Sequence, residues 1–262
     1  MKQRTITAII ALLIFVPLII IGEWPFTLFI YLIASIGLIE LIRMRSIGNY
    51  FMPSLLGLLL LWLILYQDSW NIISDIPKFE LITFLILLLL AYTVLVKNKF
   101  TFDHAGFVLL ATFYIGLGFF YLIETRTGDS GLKNIFFAFL IIWSTDTGAY
   151  LVGRKFGKRK LWPTISPNKT VEGALGGILL ACIVAGIFHT ITPFSHSFII
   201  VILVAILASI FGQVGDLVES ALKRNYGVKD SGKILPGHGG ILDRFDSLLF
   251  VLPLLHIIHF FV

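Results

Sequence analysis

Long apolar runs alternate with short polar segments along the chain, and this pattern predicts membrane-spanning helices. A helix needs roughly 20 mostly apolar residues to cross a bilayer core of about 30 Å. Runs of about that length occur nine times, at residues 5–22, 25–42, 51–67, 79–96, 106–124, 134–152, 171–190, 197–216 and 244–262. We therefore expect an all-α, polytopic integral membrane protein with about nine transmembrane helices.

The composition agrees with this pattern and excludes several classes of protein. Of the 262 residues, 58% are hydrophobic and 13% are charged, and the mean hydropathy is +0.96. A soluble domain is typically about 45–50% apolar and about 25% charged. The sequence holds one cysteine, Cys182, which can form no internal disulfide and no thiolate metal site. A soluble globular enzyme, a disordered protein and a disulfide-rich scaffold are therefore excluded.

The basic residues predict the orientation of the helices, because cytoplasmic loops are enriched in Lys and Arg. With nine spans, 17 of the 20 Lys and Arg residues fall on one side: Lys2, Arg4, Arg43, Arg45, Lys97, Lys99, Arg154, Lys155, Lys158, Arg159, Lys160, Lys169, Lys223, Arg224, Lys229, Lys233 and Arg244. The other side holds Lys78, Arg126 and Lys133. We therefore expect a cytoplasmic amino terminus and an external carboxyl terminus. The net charge of +5 then requires no nucleic-acid partner.

The two halves of the chain differ in where their polar residues fall. Residues 1–130 predict an N-terminal transmembrane scaffold, because their carboxylates lie at span ends or in loops. In this half, Glu40 lies three residues before Arg43, a spacing that favours a local ion pair. Residues 131–262 predict a C-terminal transmembrane catalytic region with a cytoplasm-facing site. In it, Gly173 and Gly177 have a spacing that favours close helix packing.

Three polar segments of the second half, 143–150, 154–173 and 212–246, fall on the predicted cytoplasmic side. In the first segment, Asp146 lies about a turn and a half inside the sixth predicted span. An ionisable side chain at membrane depth is costly and usually faces an aqueous cavity or a partner. The alternative is a packing hydrogen bond to a neighbouring Ser or Thr, and we favour a functional role for Asp146.

The third segment begins with a polar helical face. Asp216, Ser220 and Lys223 recur at helical spacing, with Glu219 and Arg224 beside them, so these side chains share one face. A solvated helix with ion pairs would show the same pattern, but this stretch continues directly from an apolar span. Its polar face is therefore expected to point into the protein or into a water-filled cavity.

A glycine-rich turn follows this helix. It contains Gly232, Gly237, Gly239 and Gly240 beside Lys229 and Lys233. Glycine readily adopts positive φ, and the backbone N–H groups of such turns can bind phosphate oxygens. We expect the turn to contact phosphate groups.

Clustered carboxylates after the turn predict a metal site. A helix is expected to begin near Asp243, so that Asp243 and Asp246 point the same way. Either residue alone would suit a helix amino terminus, but the pair together with Asp216 offers hard oxygen ligands for Mg²⁺. Basic residues for phosphates, aspartates for Mg²⁺ and a site at the cytoplasmic membrane face indicate phosphoryl or nucleotidyl transfer onto a lipid.

The same segment resembles the signature of the phosphatidate cytidylyltransferase (CDP-diacylglycerol synthase) family. The matching pattern is Ser220-x-Leu222-Lys223-Arg224-x4-Lys229-Asp230-x-Gly232-x2-Leu235-Pro236-x-His238-Gly239-Gly240-Ile241-x-Asp243-Arg244-Phe245-Asp246. The resemblance extends to Ser166-Pro167-x-Lys169-Thr170-x-Glu172-Gly173 and to the segment around Asp146. The first 130 residues match in hydropathy alone.

The resemblance implies the reaction of CTP with phosphatidate to give CDP-diacylglycerol and pyrophosphate, with Mg²⁺ as cofactor. It also implies a multi-pass protein of a bacterial inner (plasma) membrane. The expected partners are CTP, phosphatidate and membrane lipids, without nucleic acid, and a second copy of the chain is a candidate partner in a homodimer.

The resemblance and the side-chain chemistry together assign roles to individual residues. The expected metal ligands are Asp216, Asp243 and Asp246, with Asp146 as a fourth candidate. The residues expected to neutralise phosphates are Lys223, Arg224, Lys229 and Arg244, with His238 as a further phosphate contact. The expected substrate-binding residues are Asn168, Lys169, Glu172, Ser220, Gly237, Gly239 and Gly240. Ser166 and Pro167 are predicted to form the cap and first turn of the seventh helix.

Two other functions are kept as alternatives. A CTP-dependent lipid kinase would use similar phosphate-binding residues, although its lipid alcohol substrate would require a general base. An ion-coupled transporter would use Asp146 and Asp216 as intramembrane carboxylates. Transporters often have repeated halves, whereas the polar residues here are confined to one half and one side of the membrane.

Overall fold

The computed structural model of the protein describes residues 2–45, 51–67 and 77–261. Within these ranges the chain forms ten helices and two short strands. The helices are α1 (Lys2–Ile21), α2 (Glu23–Met44), α3 (Phe51–Leu65), α4 (Lys78–Leu95), α5 (Phe102–Thr127), α6 (Gly131–Phe156), α7 (Val171–Ile191), α8 (Phe198–Asn225), α9 (Leu242–Phe245) and α10 (Leu248–Ile257). The strands are β1 (Lys160–Trp162) and β2 (Ser166–Thr170). The side chains of Lys2 and Arg4, which support the predicted orientation, lie outside the described part of the chain.

The helices agree with the expected polytopic membrane protein. Six of those in the described ranges, α2 and α4 to α8, are long and apolar enough to cross a bilayer. The other three predicted runs coincide with shorter apolar helices at Ile6–Ile21, Phe51–Leu65 and Leu248–Ile257. The predominantly helical membrane fold is therefore confirmed, whereas the count of nine spans and the orientation stay predictions.

A two-stranded hairpin interrupts the helical architecture between α6 and α7. Strands β1 and β2 are antiparallel, with Trp162 opposite Ser166 and Lys160 opposite Thr170. The prediction that Ser166 and Pro167 begin the seventh helix is therefore wrong. Thr170 is the actual cap, since its extended backbone leads into α7 and its Oγ1 accepts the N–H of Gly173 over 3.1 Å.

The last predicted span, 244–262, is also corrected. Its first residues form the single turn α9, and α10 begins only at Leu248 and ends at Ile257. Ten helical residues rise about 15 Å, which is half of a bilayer core. Between the two helices the side chain of Asp246 accepts the N–H of Ser247 over 2.7 Å. Such a local bond competes with helical backbone pairing.

The described chain forms two compact units that do not follow a single cut in the sequence. The first consists of Met1–Ile123 and Asp230–Leu242, and the second of Glu124–Lys229 and Asp243–Val262. The first unit has an apolar core that includes the fully buried Phe26, Leu38, Leu61 and Ile115. The glycine-rich segment therefore belongs to the unit built from the first half of the chain.

In the second unit, glycines allow α6 and α7 to pack closely. A Cβ at Gly177 would lie 2.7 Å from the carbonyl oxygen of Thr145, and a Cβ at Gly173 would lie 2.8 Å from that of Ala149. This confirms the close packing predicted from the glycine spacing. Thr145 also donates from Oγ1 to Ser209 Oγ over 2.9 Å, which links α6 to α8.

Replacing Gly148 by alanine is expected to destabilise the packing of α6 against α7. The new Cβ would lie 2.5 Å from the carbonyl oxygen of Gly176 and 2.9 Å from Cβ of Leu180. Overpacking of this kind costs about 1–3 kcal/mol, so the purified protein should unfold at a lower temperature in detergent. The control is Gly106→Ala, since a Cβ at Gly106 would meet nothing within 4 Å. Equal unfolding temperatures for the two variants would contradict the close approach.

Candidate active site

A cavity of about 550 Å³ lies in the second unit, with walls from α6, the hairpin, α7 and α8. Its polar lining includes Asp146, Asn168, Lys169, Gln213 and Asp216. The other lining residues are Ala149, Tyr150, Gly153, Arg154, Leu161, Thr170, Gly173 and Ala174. The cavity thus brings together residues from all three segments that the sequence marks as polar.

Asp216 is held at the cavity wall by two side chains. Lys169 Nζ lies 2.5 Å from Asp216 Oδ2, and Ser220 Oγ donates to Asp216 Oδ1 over 3.3 Å. Lys169 immediately precedes the cap of α7, which fixes its backbone beside the helix. Gln213, nearly one turn before Asp216, donates from Nε2 to the carbonyl oxygen of Ala174 over 3.3 Å. These contacts link α7, α8 and β2 around Asp216.

Asp246 lies between α9 and α10, where the negative charges of Asp216 and Asp146 act on its carboxylate. Its Oδ1 accepts the N–H of Ser247 over 2.7 Å. Asp146 in turn interacts favourably with Lys169 and with Arg244. The site therefore contains carboxylates that repel one another, with cationic side chains close by.

Asp243 has different partners, a half-buried lysine and a second buried carboxylate. Lys223 Nζ lies 2.7 Å from Asp243 Oδ1, and it also contacts Glu219 Oε2 one turn earlier on α8. The exposed fractions of these side chains are 6% for Asp243, 1% for Glu219 and 14% for Lys223. Two buried carboxylates thus share one ammonium group.

The carboxylates present differ in how well they fit the expected metal. Among the residues with described positions, no group of three or more His, Cys, Asp or Glu side chains is arranged to hold a metal ion. Asp146, Asp216 and Asp246 nevertheless offer the oxygen ligands that Mg²⁺ prefers, and a cation would relieve their mutual repulsion. Asp243 fits this role less well, because Lys223 already balances its charge.

Glu172, which is expected to help seat the nucleotide, accepts two backbone N–H groups in the structure. It lies in the first turn of α7 and accepts the N–H groups of Lys158 and Arg159 over 3.0 and 3.2 Å. The lining of the cavity includes Asn168 and Lys169 but not Glu172. In the structure Glu172 therefore anchors the loop before β1.

The cationic residues of the second unit have varied surroundings. Arg224 donates from Nε to the carbonyl oxygen of Ile165 in the hairpin over 3.3 Å. Lys223 is half-buried in its ion pairs, whereas the side chains of Lys229 and Arg244 are exposed. The charge of Lys223 is thus shared by two carboxylates, whereas Lys229 and Arg244 lie at the surface.

The glycine-rich turn and His238 lie in the first unit. Gly237 and Gly239 have φ values of 77° and 85°, as expected from the sequence. The N–H of Leu235 donates to the carbonyl oxygen of Gly239 over 3.0 Å, and the N–H of His238 donates to that of Leu235 over 2.8 Å. The N–H of His238, one of the turn's expected phosphate donors, is therefore used within the turn, as is the neighbouring N–H of Leu235.

Gly232 and Gly240 do not have positive φ, and the structure gives another reason for glycine at these positions. A Cβ at Gly232 would lie 2.2 Å from Glu40 Oε1, and a Cβ at Gly240 would lie 2.4 Å from Glu40 Oε2. The expectation that all four glycines supply unusual backbone conformations is therefore wrong for these two. They leave room for a buried carboxylate.

The contacts of several polar residues could not be predicted from their sequence positions alone. The polar face that holds Glu219 and Lys223 is predicted to point into the protein or a cavity, and the 1% exposure of Glu219 agrees with this, although the spacing does not identify Asp243 as the second partner of Lys223. Gln213 carries no charge and lies in an apolar helix, so no pattern indicates that it lines the cavity. Glu40 was expected to pair with Arg43, but Glu40 is buried among backbone donors and Arg43 is exposed.

Taken together, the fold and the site define a helical membrane protein with a mixed acidic and basic site suited to phosphate chemistry. The sequence profile of the cytidylyltransferase family matches residues 2–262. The chain belongs to the cytidylyltransferase family.

Individual relatives are similar in sequence to this chain along nearly its whole length. The phosphatidate cytidylyltransferase of Bacillus subtilis (strain 168) is 54% identical over 259 residues, covering 98% of this chain and 96% of the relative. Proteins of the same name are 51% identical in Staphylococcus saprophyticus (strain ATCC 15305) and 47% identical in Staphylococcus aureus (strain COL), each covering 98% of both chains. The family predicted from the signature is therefore confirmed.

Proposed function

We propose that the chain transfers CMP from CTP to the phosphate of phosphatidate, giving CDP-diacylglycerol and pyrophosphate. The observation that carries this proposal is the Lys169–Asp216 pair on the cavity wall, in a chain that is similar over its whole length to proteins named for this reaction. An acidic and basic cavity of about 550 Å³ has the chemistry and the size for a phosphate-bearing ligand.

The reaction joins two anionic substrates. A phosphate oxygen of phosphatidate attacks the α-phosphorus of CTP, and the bond from that phosphorus to the β-phosphate oxygen breaks. Pyrophosphate leaves with the electron pair. Because the second pKa of a phosphomonoester is about 6, the lipid phosphate is already ionised near neutral pH and needs little help from a general base. The protein must instead bring two polyanions together and stabilise the leaving group.

The residues of the second unit fit this task. Lys169, Arg224 and Arg244 would neutralise phosphate charge, and Asn168 on the cavity wall would contact the nucleotide. Asp146, Asp216 and Asp246 would hold Mg²⁺, which when bound supplies positive charge for the triphosphate and the departing pyrophosphate. We assign Asp243 mainly to the buried pair with Lys223.

Purified protein in detergent, with Mg²⁺, phosphatidate and CTP labelled at the α-phosphate, tests the proposal. Label should enter the lipid phase, and label from CTP marked at the γ-phosphate should not. Lipid labelling from γ-labelled CTP alone would favour the lipid kinase. No transfer from either nucleotide, with folded protein, would overturn both and favour the transporter.

Removing divalent metal is expected to reduce transfer to the level of a protein-free control. Charge neutralisation by a metal contributes several kcal/mol to such reactions, and the carboxylates would repel the triphosphate without it. The measurement is the initial rate in EDTA, followed by addition of excess Mg²⁺, which should restore it. A rate that EDTA leaves unchanged would refute the proposed cofactor.

We further propose that the nine apolar runs form nine spans, the last of them made by the short helix α10 together with the residues that flank it, with the amino terminus in the cytoplasm of a bacterial cell, in its inner (plasma) membrane. The asymmetry of Lys and Arg between the loops supports this orientation. Reporter fusions active on only one side of the membrane test it, since a carboxyl-terminal fusion should report an external location. A cytoplasmic location would indicate an even number of spans.

A further inference from the structure

The first unit contains a buried carboxylate, Glu40, in a part of the chain where the sequence shows no functional motif. Glu40 lies one turn before the end of α2 and is 7% exposed. Its Oε1 accepts the backbone N–H of Ile241 over 3.1 Å. Its Oε2 accepts the N–H of Leu242 over 3.1 Å and the hydroxyl of Ser231 over 3.1 Å. Both ends of the segment Asp230–Leu242 are thus bound to one side chain.

Two glycines of this segment, Gly232 and Gly240, leave room for the same carboxylate. Side chains at Gly232 and Gly240 would overlap Glu40, at 2.2 Å and 2.4 Å from its oxygens. A Cβ at Gly240 would also lie 2.3 Å from Ser231 Oγ. Neither glycine has a positive φ, so steric room, and not backbone freedom, explains the residue type.

We infer that Glu40 is a positioning residue that fixes the backbone from which Asp243 and Asp246 extend. Leu242 is the first residue of α9, and Asp243 follows it directly. The unpaired N–H groups at the start of a helix need acceptors, and Glu40 supplies them for Ile241 and Leu242. Hydrogen bonds from backbone to a charged acceptor in a buried place are strong, so they hold this short turn in one arrangement. Glu40 acts through the backbone and touches no substrate.

Replacing Glu40 by glutamine tests the inference, which rests on the proposed function for its activity readout. The amide group would present N–H to backbone N–H and leave a buried donor unsatisfied. We expect kcat for cytidylyl transfer, normalised to folded protein, to fall by about 10- to 100-fold, as for partners that orient metal ligands. The KM for CTP should change much less. Glu80→Gln, an exposed position in the first turn of α4, is the control and should keep the wild-type kcat.

Hydrogen exchange at the two backbone amides provides a readout that does not depend on activity. The N–H groups of Ile241 and Leu242 should exchange about tenfold faster in Glu40→Gln, because each loses a charged acceptor. Wild-type exchange together with wild-type kcat would overturn the inference. If the wild-type protein itself transfers no label, the proposed function fails, and the exchange data still decide the role of Glu40.

Second-site rescue separates this contact from a general loss of stability. Gly232→Ala should lower kcat, since its Cβ would displace the Glu40 carboxylate, which supplies all three atoms nearest to that position. Adding Glu40→Asp shortens the side chain by one methylene and makes room for that Cβ. The double variant should therefore be more active than Gly232→Ala alone, and losses that simply add would overturn the contact. This comparison also stands if Glu40→Gln yields no folded protein.

Discussion

Asp216→Asn is expected to lower the rate of cytidylyl transfer by at least about 100-fold while the protein stays folded. The charge of Asp216 acts on Asp246, as does that of Asp146, and Asp216 pairs with Lys169 on the cavity wall. Asparagine keeps the size but removes the charge that would bind Mg²⁺, and loss of several kcal/mol of charge stabilisation corresponds to more than about 100-fold in rate. The measurement is the initial rate with α-labelled CTP at saturating substrates.

Stability should change little in this variant. The side chains of Asp216 and Lys169 are each about a third exposed, at 32% and 28%, and partly exposed ion pairs contribute little to folding. Asp129→Asn, at an exposed position between α5 and α6, is the matched control for rate and unfolding temperature. Transfer at the wild-type rate in Asp216→Asn would refute the assignment of Asp216 as a metal ligand.

Lys223→Met is expected to destabilise the second unit strongly. Removing the ammonium group leaves the carboxylates of Glu219 and Asp243 buried beside each other, with exposed fractions of 1% and 6%. Breaking a buried ion pair by removing one partner typically costs about 3–5 kcal/mol, because the remaining charge is uncompensated. The midpoint of thermal unfolding in detergent should fall by on the order of 10 °C.

Two further variants identify the cause of that loss. Lys155→Met, in the last turn of α6 as Lys223 is in the last turn of α8, removes an exposed lysine and should change stability by less than about 0.5 kcal/mol. Adding Glu219→Gln to Lys223→Met removes one of the two buried charges and should recover part of the lost stability. If Lys223→Met unfolds at the wild-type temperature, the buried network does not support the fold.

The family signature contains both Asp243 and Asp246 and does not distinguish their roles. They are three residues apart, and the sequence predicts the same role for both. In the structure, Asp243 balances Lys223, whereas Asp246 interacts with Asp216 and Asp146. Asp243→Asn should therefore impair stability as well as activity, and Asp246→Asn mainly activity.

The sequence by itself determined the class of the protein, its family and most of the membrane helices. Hydropathy depends on composition within a window of about 20 residues, and the signature from Ser220 to Asp246 is continuous in the chain. Close packing of α7 against another helix could likewise be predicted, because glycines at this spacing let helix backbones approach each other, but only the structure identifies α6 as the partner. These properties are local, so no knowledge of distant contacts is needed.

The tertiary structure decided which polar side chains meet. Glu40 binds Ser231 and Leu242, partners that are 191 and 202 positions away, whereas its sequence spacing favours Arg43. Ser166 lies in strand β2, opposite Trp162. Pairing within the hairpin outweighs the local preference of Ser for a helix cap. Burial then distinguishes otherwise similar carboxylates, since an ionised group removed from water must find donors or a counter-charge. Those partners come from elements distant in the chain, and only folding brings them together.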